Sequence, residues 1–222
     1  MGAQAARVLV RMGADLEARD DRGATALLGA AAAGSVEVVA CLEHLGANVG
    51  ATDLSGLTAL HLAAANNSKE VVTLLVTELA SPVRAGNQLG QTALHLAAGA
   101  GHGDMLRRLV ALGAVLDQPD AGGCTALHAA ARTGHTAAAE VLVELGAVVD
   151  AQDADGRAPL HLAAYHGWTA LAETLLQKGA APAVRDVWLC SALHRAAQQG
   201  MVQTVLMLLT QNVPVRCSFV FC

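Results

Sequence analysis

Aromatic residues are nearly missing from this chain. They make up 2% of its 222 residues, as two Trp, one Tyr and two Phe. An interior with so few rings must be built from Ala, Leu and Val, whose side chains let helices pack closely. Charge is scarce as well, at 15%, and no basic stripe accompanies the net charge of −5, which counts against nucleic acid as a partner. The five cysteines lack zinc-ligand spacing and form an odd set, read as reduced thiols of a cytoplasmic protein. Charges break every apolar run short of the ~18 residues of a membrane span, and no secretory signal opens the chain. Membrane insertion is therefore not expected, and the location is read as cytoplasmic, with the nucleus open. The 54% hydrophobic content excludes disorder by composition.

What is present is repetition. Thr58-Ala59-Leu60-His61 returns as Thr92-Ala93-Leu94-His95, Thr125-Ala126-Leu127-His128, Ala158-Pro159-Leu160-His161 and Ser191-Ala192-Leu193-His194. The first interval is 34 residues and the others are 33. A period of this size means stacked repeats, in which length counts units rather than separate cores.

The stretch from Asp120 to Ala151 shows how one unit is built. Asp120-Ala121-Gly122-Gly123 signals a turn. Thr125 is placed to cap a short helix whose Leu127, Ala130 and Ala131 share one face, and Gly134 ends it. A second helix is predicted from about Thr136 to Leu145, with Ala138, Val141, Leu142 and Leu145 on one face and Gly146 at its end. Neither helix reaches the ~12–15 residues needed for marginal stability alone, so each must be buried against neighbouring units. Asp20, Asp53, Asn87, Asp120, Asp153 and Asp186 begin the successive loops.

These words and landmarks resemble the ankyrin repeat, with its Thr-Pro-Leu-His-x-Ala signature. The resemblance implies an all-α repeat solenoid of stacked helix-turn-helix units joined by hairpin-like loops. It implies one domain over 1–215. A half repeat at 1–19 precedes six repeats at 20–52, 53–86, 87–119, 120–152, 153–185 and 186–215, and a non-repeat tail follows at 216–222. It also implies that the Thr and His of each word hydrogen-bond within and between loops, and that Leu28, Ala158 and Ser191, which break the word, mark weaker joints. The second repeat carries one extra residue, with Ala80-Ser81-Pro82 where Gly-Ala is usual. That predicts a longer second helix or a local bulge.

A column of histidines invites a metal-binding or general-base reading. At ~8–10 Å between packed helices they form a row rather than a cluster, and no zinc spacing occurs. Gly99-Ala100-Gly101-His102-Gly103 sits between two helices and lacks the Lys-Ser/Thr of a phosphate loop. No nucleophile–base pair stands out, so no enzymatic activity, metal, cofactor or small-molecule substrate is expected.

Function is expected where the repeat stops repeating. In the ankyrin family those positions are hairpin tips and the exposed side of the first helix, on a concave face. Carried onto this chain they select Arg132, Arg157, Tyr165, His166 and Trp188 as a binding centre, because Trp, Tyr and Arg are enriched among interface hot spots. Trp168, at the start of a second helix, reads as a packing or edge site. Leu54, Leu57 and Leu89 form a second, apolar strip at loop tips. The function implied is a protein–protein interaction scaffold or adaptor. The alternative is the ankyrin part of a larger signalling, channel or ubiquitin-ligase protein whose activity lies elsewhere. The apolar last helix, where Leu206 stands in a usually charged position, reads either as the open end of a fragment or as a surface covered by the tail or a partner.

Overall fold

In the computed structural model, residues 2–210 are described. The expected tail at 216–222 and the Asn212-Val213-Pro214 departure lie outside them. Thirteen helices occur among the described residues, and the sole β pairing there is an isolated bridge between Thr52 and Thr58. By contacts the chain divides into two compact units, Met1–Ala97 with Arg107–Val115, and Ala98–Leu106 with Leu116–Cys222.

The first unit holds α1 (Gly2–Arg11), α2 (Ala26–Ala32), α3 (Val36–His44), α4 (Ala59–Ala65) and α5 (Lys69–Thr77), with parts of α6 (Ala93–Gly99) and α7 (Gly103–Ala111). Within it α2 packs on α3 and on α4, α4 on α5, and α3 on both α1 and α5. Leu27, Leu60, Leu75 and Ala63 are buried there. Short helices thus bury their apolar stripes against the units before and after them, as repeat stacking requires. α5 is no longer than the other second helices. The extra residue is absorbed after it, where Ala80 takes φ 50° and Ser81 N–H reaches the Leu75 carbonyl at 2.8 Å. Of the two expectations for this repeat, the local bulge is what occurs.

The second unit holds α8 (Ala126–Thr133), α9 (Thr136–Glu144), α10 (Pro159–Tyr165), α11 (Thr169–Gln177), α12 (Ala192–Gln198) and α13 (Val202–Thr210). First helices form one row, α8 on α10 on α12, and second helices another, α9 on α11 on α13. Thr169 and Thr204 share a 2.7 Å hydroxyl contact between α11 and α13.

The loops are held by their first residue. Asp153 Oδ1 accepts from the N–H groups of Asp155 and Arg157 at 3.0 and 2.8 Å, while its own N–H reaches the Arg157 carbonyl at 3.0 Å. Asp20, Asp53, Asn87, Asp120 and Asp186 repeat the i+2 and i+4 pattern. A short side-chain acceptor that pairs with nearby N–H groups fixes a turn without help from the rest of the fold. Tips then link to one another, Leu54 N–H to Arg22 O in the first unit and Val187 N–H to Asp155 O in the second, each at 3.0 Å.

The repeated word joins consecutive repeats. Thr125 sits in extended backbone ahead of α8, and its N–H donates to His128 Nδ1 at 3.1 Å. That acceptor role leaves the ring proton on Nε2, which donates to the Arg157 carbonyl at 2.9 Å. His61 makes the same bridge to Gln91 O, and His161 to Cys190 O. Ala158 has no hydroxyl to contribute, and His161 N–H turns to the Ala158 carbonyl at 2.9 Å instead. The bridge to Cys190 survives that loss, so only the local half of the fifth joint is reduced. Ser191 keeps the hydroxyl contact to His194, at 2.8 Å.

Candidate partner-binding groove

A groove of about 390 Å³ opens in the second unit. Its lining combines the hairpin residues Cys124, Arg157 and Trp188 with Arg132, His161, Leu162, Tyr165, His166, Arg195 and Gln198, from or beside α8, α10 and α12. The structure therefore brings together all five residues that the sequence selects as a binding centre. Trp188 is 54% exposed and Tyr165 38%. Tyr165 and His166 meet edge to face, with ring centroids 5.1 Å apart.

Buried aspartates anchor two of the groove's arginines. Arg157 Nε contacts Asp153 Oδ2 at 2.8 Å and its Nη2 contacts Asp155 Oδ2 at 3.0 Å. Those contacts hold the Arg157 guanidinium above its usual range, against the opposing pull of burial. Arg195 donates through Nε and Nη2 to Asp186 Oδ2, and its guanidinium lies 5.0 Å from the Trp188 ring centre. A cation over an indole face is attracted by the ring quadrupole, and here the anchored Arg195 also restricts the indole. Cys124, at the groove wall, is pushed up to about 11, first by burial and then by Asp120 and Asp153. A thiol so shifted stays protonated at neutral pH and is a poor nucleophile.

The periodic landmarks decide the family. A sequence profile of ankyrin repeats matches three times, over residues 2–85, 76–153 and 147–217. This chain belongs to the ankyrin-repeat family. No curated protein matches it. Ankyrin repeats are in general protein–protein interaction modules, and the fold here is the all-helical repeat array that the sequence predicts. Among the described residues no helix is long and apolar enough to cross a membrane, and no group of three or more His, Cys, Asp or Glu could hold a metal.

In the first ankyrin unit a second groove, of about 650 Å³, is lined by Leu54, Leu57, Leu28 and Leu62 together with Asp20, Asp21, Asp53 and Arg22. Leu54 is 69% exposed; Leu89, 63% exposed, is not part of this lining, so the apolar strip is only partly assembled. Trp168 is an edge residue, as expected. Its indole covers Gly134, and its Nε1 lies 3.3 Å from Arg132 O. Arg195 and Cys124 were not selected from sequence. A signal existed for Arg195: it stands where the other histidine words continue with Leu or Ala. Cys41 is buried and Cys124 half-buried, and Cys190 is disulfide-bonded, which departs from the expectation of five reduced cysteines. Cys217 and Cys222 lie outside the described residues.

Proposed function

We propose that this ankyrin chain is a non-enzymatic interaction module, an adaptor or scaffold, that holds a partner protein in the groove of its second unit. Arg132, Arg157, Tyr165, His166 and Trp188 form the contact set. Leu54, Leu57 and Leu89 offer a subsidiary apolar surface on the first unit. The observation that carries this reading is the convergence of the chain's exposed Trp188 and Tyr165 with three arginines on one groove. Rings and guanidiniums of this kind supply most of the energy at protein interfaces when a partner desolvates them. The non-enzymatic part is supported by the state of the reactive groups. His61, His128 and His161 have both ring nitrogens committed to hydrogen bonds within and between repeats, and the Cys124 thiol is held protonated.

The test is affinity purification with mass spectrometry on the intact chain beside the Tyr165→Ala/Trp188→Ala double variant, followed by titration of the partner recovered. Hot-spot roles predict a loss of at least ~2 kcal/mol in binding with unchanged helical circular dichroism. Equal affinity of the two proteins for that partner would overturn the assignment.

A further inference from the structure

The second-unit groove also has a sign. Three arginines line it, and no aspartate or glutamate does, in a chain whose net charge is −5. The acids nearest the arginines are spent. The Asp153 and Asp186 side chains are 0% exposed. Each gives Oδ1 to loop N–H groups and Oδ2 to Arg157 or Arg195. Asp155 is more open but is paired with Arg157. Arg132, exposed on α8, makes no ion pair with any of these acids. A carboxylate entering the groove would meet Arg132 and the open edge of Arg157. An ammonium or guanidinium would meet no carboxylate in the lining. The first-unit groove carries Asp20, Asp21 and Asp53 against the single Arg22, so this polarity belongs to the particular residues and not to the fold.

We infer that the groove of the second unit takes a peptide segment of its partner that sets an apolar side chain against Trp188 and Tyr165 and a neighbouring Asp or Glu against Arg132. The inference rests on the proposed interaction function and names the chemistry of the occupant. Arg195 has a positioning role in it. Tied to Asp186 and to Gln198 at 3.1 Å, it backs the indole, which is 54% exposed. Complementary charge at such a site discriminates between partners more than it adds to affinity, so the signature should lie in selectivity and salt dependence.

The experiment is selection of a random dodecapeptide phage library on the full chain, on Tyr165→Ala/Trp188→Ala, and on Arg132→Glu. The expected result on the full chain is enrichment of Asp or Glu next to Leu, Phe or Trp. Synthetic peptides from that pool should lose about threefold to fivefold in affinity to Arg132→Glu or on raising salt from low to high ionic strength. Arg132→Glu itself should select peptides bearing Lys or Arg at the acidic position. Neutral or basic enrichment on the full chain overturns the acidic assignment and leaves the groove reading standing. The same enrichment with and without Tyr165 and Trp188 overturns both.

Discussion

His128 ties one repeat to the next through Arg157: its Nε2 lies 2.9 Å from the Arg157 carbonyl oxygen, 29 residues away in the chain. The same Arg157 presents its side chain to the groove and is fixed there by Asp153. The buried imidazole that carries the stacking therefore also sets the backbone from which a groove residue projects.

Removing that imidazole leaves the Thr125 N–H without its partner and the Arg157 carbonyl with the Asp153 N–H alone. His128→Ala should cost about 1–3 kcal/mol for the lost hydrogen bonds, plus a cavity term. A urea titration checks it: the midpoint should fall with the slope unchanged. Thr125→Ala should cost less, because Ala158 shows that the inter-repeat bond persists without the hydroxyl.

Acid should loosen the stack. His61, His128 and His161 are each held below the usual imidazole range of about 6.5, first by burial, with hydrogen bonds to carbonyls opposing it. Once unfolded, the rings titrate at their ordinary value. Below 6.5 the unfolded chain binds protons that the folded chain refuses, so stability is greatest above that pH and falls as pH drops through the window beneath it. Urea midpoints from pH 8 to pH 5 should decline, and His128→Gln should show a shallower decline. A midpoint that rises on acidification would contradict the assignment.

Two backbone positions should respond in opposite directions. Gly134 has φ 80°, and a Cβ there would stand 2.7 Å from the Trp168 ring, so Gly134→Ala should destabilise by at least ~1 kcal/mol and redden the Trp168 emission by displacing the indole. Leu189 holds φ 62° at a hairpin tip while 67% exposed. Leu189→Gly removes that strain and should raise stability by about 1 kcal/mol, read as a higher melting temperature.

Cys124 should react slowly. With its thiol pushed up to about 11, alkylation by iodoacetamide at pH 7.5 should run well below the rate for the same cysteine in urea-unfolded chain. Cys41 is buried, so Cys124 modification can be followed by peptide mass analysis. A native rate equal to the unfolded one would contradict the shift.

Much of the fold was legible because its signals are local. Asp153 pairs with groups two and four residues on, Thr125 with a ring three residues on, and Gly134 stops α8 by its own backbone freedom. Spacing alone specifies such contacts. The binding centre was legible as a set of departures from the repeat, since Tyr165 and Trp188 are the rare rings at positions the fold does not need. Less legible were the residues that act on that set. Arg195 replaces the Leu or Ala that follows the other histidines, but its place over Trp188 depends on how a hairpin and α12 face each other.

The sequence by itself determined the period, the helices, their stops and the loop hydrogen bonds, because each depends on residues within a few positions along the chain. Only the tertiary structure decided that Trp168 covers Gly134, that Asp153 and Asp186 sink while their arginines face the groove, and that Leu89 stands apart from the groove holding Leu54 and Leu57. Those outcomes depend on the distance and rotation between stacked repeats, which set which side chains meet and which carboxylates lose their water.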